Sequence, residues 1–345
     1  VKPKVEKGVA WYDVAQWGVE GKGWTETERY YDRLPAKAKG VVRDAVWNLS
    51  RHSAGMCVQF TTDAPAISAR YTLLSPSVAM PHMPATGVSG LDLYGKDDQG
   101  TWRWLAVTRP TAKTYQGTFA EGIAPGRREY TAYLPLYNGV ESLEIGVPAG
   151  AVFEPAAPRR AKPILFYGTS ITHGACASRP GMAYTAILGR RLDRPAINLG
   201  FSGNGRMEPE VGALLVELDP AVYVIDCLPN MDAAAVAQRA EPLVRQLRQA
   251  RATTPIVLVE DRSFTNAPLV PSKKAHHAAS RAALKAAYGR LVESGVKGLC
   301  YVEGEHLLGD DSEGATDGSH PSDLGMFRMA DALEKVLRPL VVDAA

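Results

Sequence analysis

A serine at the end of an apolar run is the first residue of this chain placed to do chemistry. The run Ile164 to Tyr167 breaks at Gly168 and delivers Ser170. In an open parallel sheet, ligands bind outside the carboxyl ends of the strands, so a hydroxyl there is a candidate nucleophile. It needs a base, an acid that orients the base, and donors for a developing oxyanion. The segment Asp317-Gly-Ser-His320 offers the first two. Asp317 is near enough in sequence to fold back and accept the Nδ1 proton of His320, leaving Nε2 for the proton of Ser170. The glycine-rich stretch Asn198-Leu-Gly-Phe-Ser-Gly-Asn-Gly205 follows a second apolar run. Such a turn lets backbone N–H groups point at an oxygen without steric interference. After a third run, Asp226-Cys-Leu-Pro-Asn230 adds a side-chain amide. His276, His277 and His306 lack such a setting; solvent exposure or a local hydrogen bond is expected for each.

These segments need a frame that brings them together. The first part of the chain reads as strands. Ile67 to Leu73 alternates apolar and polar with period two, the mark of a half-buried antiparallel strand. Val58 and Phe60, Trp102–Val107, Tyr130–Leu136 and Leu143–Val147 carry the same signal, separated by Gly and Pro clusters. An all-β sandwich of jelly-roll type over residues 1–155 is predicted. The proline-rich, charged connector Phe153–Lys162 ends it. Over 156–345 apolar runs at Ile164–Tyr167, Ala196–Leu199, Val222–Ile225, Ile256–Val259 and Leu299–Val302 alternate with helix-like segments. The helices are expected at Ala233–Arg251, His277–Glu293 and Ser322–Leu337, with a loop over Arg262–Lys274. That alternation predicts a parallel sheet covered on both faces, a doubly wound α/β/α sandwich.

Composition narrows the function classes. A formal net charge of +2 with no basic run argues against nucleic acid. No apolar segment reaches the roughly 18–20 residues that span a bilayer. The four cysteines, Cys57, Cys176, Cys227 and Cys300, form no CxxC pair. Cys57, Cys227 and Cys300 sit in apolar runs and are expected to be buried free thiols. No cofactor or metal is expected. The chain opens Val1-Lys-Pro-Lys, which fits a processed N-terminus and favours a secreted or periplasmic location over the cytoplasm.

Together these segments resemble the SGNH hydrolase (GDSL-type esterase) superfamily, named for Ser, Gly, Asn and His in separate sequence blocks. The resemblance implies a flavodoxin-like α/β/α fold, with Ser170 as nucleophile and Asp317 and His320 completing a triad. It implies an oxyanion hole made by the N–H groups of Ser170 and Gly203 and the amide of Asn230. Gly90-Leu-Asp-Leu-Tyr94 resembles the GxDLY motif of a β-domain that precedes one branch of these esterases. The chain departs from the family pattern at Thr169, where aspartate is usual, and at Leu228-Pro229-Asn230-Met231, where Gly-x-Asn-Asp is usual.

The chemistry so implied is two-step acyl transfer to water, with His320 as base twice over. Loss of one oxyanion donor typically costs about 10²–10³ in kcat. Analogy with relatives that carry an added β-domain points to short acyl esters, acetyl foremost, on carbohydrates. Arg179, Arg206, Asp92 and Tyr94 are candidate substrate contacts, and Trp102, Trp104 and Tyr94 are either a sugar platform or sandwich core. A lipase or thioesterase, or a carbohydrate binder with a vestigial hydrolase fold, are the alternatives.

Overall fold

The computed structural model describes residues 1–342, which fall into two compact units. The first comprises Val1–Pro35, Arg51–Arg160 and Ser178–Gly181. The second comprises Ala36–Ser50, Ala161–Ala177 and the chain from Met182 onward.

The first unit is antiparallel throughout. Its strands are β1 (Lys4–Glu6), β2 (Val9–Asp13), β3 (Cys57–Thr62), β4 (Ala66–Leu73), β5 (Asp92–Lys96), β6 (Trp102–Val107), β7 (Thr114–Glu121), β8 (Arg128–Tyr133), β9 (Val140–Pro148) and β10 (Phe153–Ala156). They form two sheets, β1-β2-β9-β4-β7 and β10-β3-β8-β5-β6. The period-two pattern of β4 has the expected result: Ile67, Ala69, Tyr71 and Leu73 are buried and their neighbours are not. They join Val58, Phe60, Leu93, Ala132, Leu143 and Ile145 from both sheets in one core, so the unit is a β-sandwich.

The second unit holds five parallel strands, β11 (Ile164–Gly168), β12 (Ala196–Gly200), β13 (Val222–Asp226), β14 (Ile256–Val259) and β15 (Leu299–Val302), in the order β12-β11-β13-β14-β15. The central strands are buried from end to end because helices cover both faces. Those helices are α1 (Asp44–Ser50), α3 (Ser170–His173), α4 (Tyr184–Arg191), α5 (Pro209–Leu215), α6 (Ala233–Ala250), α7 (Pro271–Glu293) and α8 (Asp323–Val342); α2 (Ala85–Val88) lies in the first unit. α6 packs with α5 and α7, and α4 packs with α8. The order 2-1-3-4-5 is that of flavodoxin-like doubly wound folds, with its switch point between β11 and β13.

Three expectations need adjustment. α7 starts at Pro271, several residues early, because a proline with no N–H to lose suits the first helical position. α8 runs past Leu337 to Val342 with Pro339 inside it; the Arg194 side chain donates to the Val341 carbonyl at 2.6 Å and satisfies that end. Cys300 is only partly buried because β15 is an edge strand, whereas Cys57, Cys176 and Cys227 are buried; all four thiols are free.

Phe166 of β11, at 0% exposure, packs edge-on to Tyr184 of α4 and joins the parallel sheet to that helix. Phe166→Ala should cost about 3–5 kcal/mol of stability, measured by the denaturant midpoint at unchanged slope.

Candidate active site

Ser170 sits at the switch point, two residues past the end of β11. The strand-to-helix turn is tight: a Cβ on Gly168 would lie 2.0 Å from Thr172 Oγ1 and 2.6 Å from the Asp226 carbonyl. Thr169 caps the turn, its hydroxyl accepting from the Ile171 N–H at 3.3 Å. So threonine takes over the capping that a carboxylate would do at that place. Behind the turn, Thr172 and Tyr184 hydroxyls donate to Asp226 Oδ2 at 3.2 and 3.0 Å, and Asn198 Nδ2 donates to the Thr172 carbonyl at 2.7 Å. Burial pushes the Asp226 carboxyl up to about 6, against the opposing pull of those hydroxyls and of the Arg262 charge.

The loop before α8 carries Asp317 and His320, the candidate acid and base. Asp317 Oδ1 accepts from the N–H of Ser319 at 3.0 Å and of His320 at 2.7 Å, while Oδ2 lies 2.7 Å from His320 Nδ1. Partial burial works the other way, yet these bonds hold the Asp317 carboxyl down at about 2. The Thr316 N–H donates to the His320 carbonyl at 2.9 Å and closes the loop. On the far side of the ring, His320 Nε2 is 2.9 Å from Ser170 Oγ. A hydroxyl, an imidazole and a carboxylate therefore stand in one hydrogen-bonded line, although 150 residues separate Ser170 from His320.

Gly203 is exposed in the turn after β12 at φ 70, a left-handed conformation that favours glycine. Asn230, half-buried in the 3₁₀ turn after β13, accepts the Gly205 N–H on Oδ1 at 3.2 Å. That bond fixes the amide, and its Nδ2 makes no hydrogen bond among the described residues. The Leu228-Pro229 departure is accommodated by that 3₁₀ turn, which a proline in its first positions suits.

The remaining candidates are engaged elsewhere. Arg206 donates to the Gly203 carbonyl at 3.2 and 3.0 Å, so it holds the glycine turn. Asp92 is fully buried in the first unit and accepts from Arg179, the Gly181 N–H and Trp104 Nε1 at 2.9, 2.7 and 2.9 Å; Tyr94 pairs its hydroxyl with Arg179 at 2.6 Å. The GxDLY side chains thus grip the segment Ser178–Gly181 that belongs to their own unit. Tyr94 is core, whereas Trp104 is 50% exposed. His276 and His306 are exposed, and His277 is buried with Nε2 accepting the Phe264 N–H at 2.9 Å.

Comparison with known proteins identifies the family. The model of the GDSL-like lipase/acylhydrolase family matches residues 161–338, and that of the N-terminus of SGNH-hydrolase-type esterases matches residues 9–153. The chain belongs to the GDSL-like lipase/acylhydrolase family. A crystal structure from Bacteroides ovatus, described as a GDSL-like lipase, is 32% identical at a TM-score of 0.92, covering 97% of this chain and 98% of its own. A salicylyl-acyltransferase from a tetracycline biosynthetic pathway has TM-score 0.74 at 17% identity, covering 99% of this chain and 97% of its own. A family two carbohydrate esterase from Clostridium thermocellum, in complex with cellohexaose, has 0.56 at 17%, covering 83% and 92%. A search of the curated proteins found no match. Family membership makes this protein a carboxylic ester hydrolase.

Two supports of this candidate site went unseen in the sequence. Arg262, 2% exposed and paired with Asp261, donates through Nε to the Ser319 carbonyl at 2.9 Å and through Nη2 to the Ser319 hydroxyl at 2.5 Å. It therefore holds the backbone between Asp317 and His320. Arg43, in the segment before α1, donates to Asn204 Oδ1 at 2.8 Å and pairs with Glu208, bracing the glycine turn. Neither residue belongs to a motif, and only the polar stretch after β14 hinted at Arg262.

Arg262→Lys cannot keep both bonds to Ser319. A displacement of about 1 Å can cost about 10²-fold, so kcat should fall by up to that factor with KM little changed; an unaltered kcat would show that the loop holds itself. For Asp226, a folded-state carboxyl near 6 against an ordinary 3.8 means that the folded protein binds the extra proton between those values. Its contribution is favourable in acid and is lost as pH rises through about 6. Thermal melts from pH 4 to 7 should show wild type losing stability relative to Asp226→Asn over that interval; parallel curves would refute it.

Proposed function

We propose that the protein removes short acyl groups, acetyl foremost, from carbohydrate esters by a serine acyl-enzyme route. Ser170 Oγ attacks the ester carbonyl as its proton passes to His320 Nε2, and Asp317 keeps the ring in the tautomer with Nδ1–H and stabilises the imidazolium. The tetrahedral oxyanion is received by the N–H groups of Ser170 and Gly203 and by Asn230 Nδ2. The sugar alcohol leaves with the proton from Nε2, and a water activated by the same nitrogen then hydrolyses the acyl-enzyme.

The observation that carries this reading is the unbroken relay from Ser170 Oγ through His320 to Asp317, at 2.9 and 2.7 Å. Asn230 supports it, since an amide fixed through Oδ1 has a donor to give. The glycan target draws support from the fold shared with family two carbohydrate esterases, one of them in complex with cellohexaose.

A fluorophosphonate probe should label the wild-type chain and not Ser170→Ala. Acetate release from a panel of acetylated glycans should exceed background with wild type only, and p-nitrophenyl acetate should be cleaved faster than the octanoate or decanoate. Absence of labelling in folded wild-type protein would sink the serine mechanism. A preference for the decanoate would replace the acetyl reading with a lipase-like one.

A further inference from the structure

Cys176 follows α3 in a left-handed backbone conformation, φ 65, that residues other than glycine seldom adopt. It is buried and has no part in acyl transfer. Yet the chain sets this thiol against the acid and the base: Cys176 Sγ, a carboxylate oxygen of Asp317 and a ring nitrogen of His320 all lie within 4.8 Å of one another. Thiolate, carboxylate and imidazole are a donor set that takes zinc, in sites with three protein ligands and an open fourth position. Bonds of about 2.0–2.3 Å put ligand atoms about 3.3–3.8 Å apart around a tetrahedral ion. The thiol needs at most about 1 Å of closure from its two neighbours, whereas Asp317 Oδ2 and His320 Nδ1, now 2.7 Å apart, must separate if both bind. Both adjustments fall on Asp317, which is exposed, and on His320, which is half-buried, while Cys176 holds its place.

We propose that Cys176, Asp317 and His320 form an inhibitory binding site for zinc or a similar divalent cation. Binding makes one metal–sulfur, one metal–oxygen and one metal–nitrogen bond, a water fills the fourth position, and the thiol proton leaves to solvent. Through Nε2, the metal takes the lone pair that faces Ser170. Through Nδ1, it moves the ring proton to Nε2, which then meets Ser170 as a donor. Either state removes the base. The inhibitory consequence rests on the reading of His320 as that base; the binding itself does not.

Cobalt(II), added to the metal-free full chain, should produce a thiolate-to-cobalt charge-transfer band in the near ultraviolet, and zinc should displace it. The band should be absent in Cys176→Ala and in Cys176→Ser, two variants that guard against a folding failure in one. Zinc should inhibit p-nitrophenyl acetate hydrolysis by wild type, reversibly with EDTA. In the variants the inhibition constant should rise by at least the roughly 10–100-fold that loss of an outer-shell partner costs. No thiolate band in wild type, a band that persists in both variants and so comes from another cysteine, or equal inhibition of all three proteins would overturn the proposal. A chain that gives the Cys176-dependent band but no fluorophosphonate labelling would uphold the metal site while overturning the serine mechanism.

Discussion

An imidazole serves as a base for a hydroxyl only when its ring is fixed in one tautomer and one orientation. Here both conditions fall on the Asp317 carboxylate. One oxygen faces the Nδ1 of His320, and the other gathers the N–H groups of Ser319 and His320, so the acid orders the loop that carries its own partner. The bonds that hold this carboxyl ionised down to about 2 also fix the orientation of the imidazole. A three-residue spacing is well suited to this double duty, because the backbone between the two residues can curl around the carboxylate and need not be positioned separately.

That short-range order would be of no use without the long-range order of the sheet. β11 lies between β12 and β13, so the turns after all three strands open on the same edge. The turn after β11 gives the hydroxyl, that after β12 the glycine, and that after β13 the asparagine. Each is braced from behind by a different device: the Asp226–Thr172–Tyr184 hydroxyl network, the Arg43 and Arg206 guanidinium groups, and the Gly205–Asn230 bond. Arg262 does the same for the acid–base loop at the cost of a desolvated charge, which Asp261 pairs and the fields of Asp226 and Asp317 favour. The price of such burial is repaid in position, since a guanidinium with no water to turn to has one place to be.

The legibility of the sequence divides along the same line. Local patterns were readable: the alternation of β4, the five apolar strands of the parallel sheet and the Ser170, Gly203, Asn230 and Asp317–His320 segments each depend on a few neighbouring residues. What depended on distant partners was not. Arg43 stands in a β-rich half of the chain, yet its segment packs in the α/β unit. Arg262 looked like one more charge in a polar loop. Arg179 and Arg206, in loops after the first two strands of the sheet, were candidates for an anionic ligand with a structural salt bridge the favoured role, and the partner of each is one that only the folded chain supplies. The helix ends shifted for a similar reason, since a proline at the start and an arginine from elsewhere at the finish decided them.

The GxDLY motif carries this argument furthest. Asp92 and Tyr94 were candidate substrate contacts, but a carboxylate with no exposure, accepting an arginine, an indole N–H and a backbone N–H, has three of its roughly four lone-pair directions filled. Such a group is spent on architecture. Its partner segment, Ser178–Gly181, follows the Ser170 turn by a few residues, then the chain returns to the α/β unit at Met182. The chain therefore enters the β-sandwich unit and leaves it again between Ser170 and α4, the helix whose Tyr184 supports Asp226. The segment that the motif holds is thus joined through the chain to the α/β unit at both ends, to the Ser170 turn on one side and to α4 on the other.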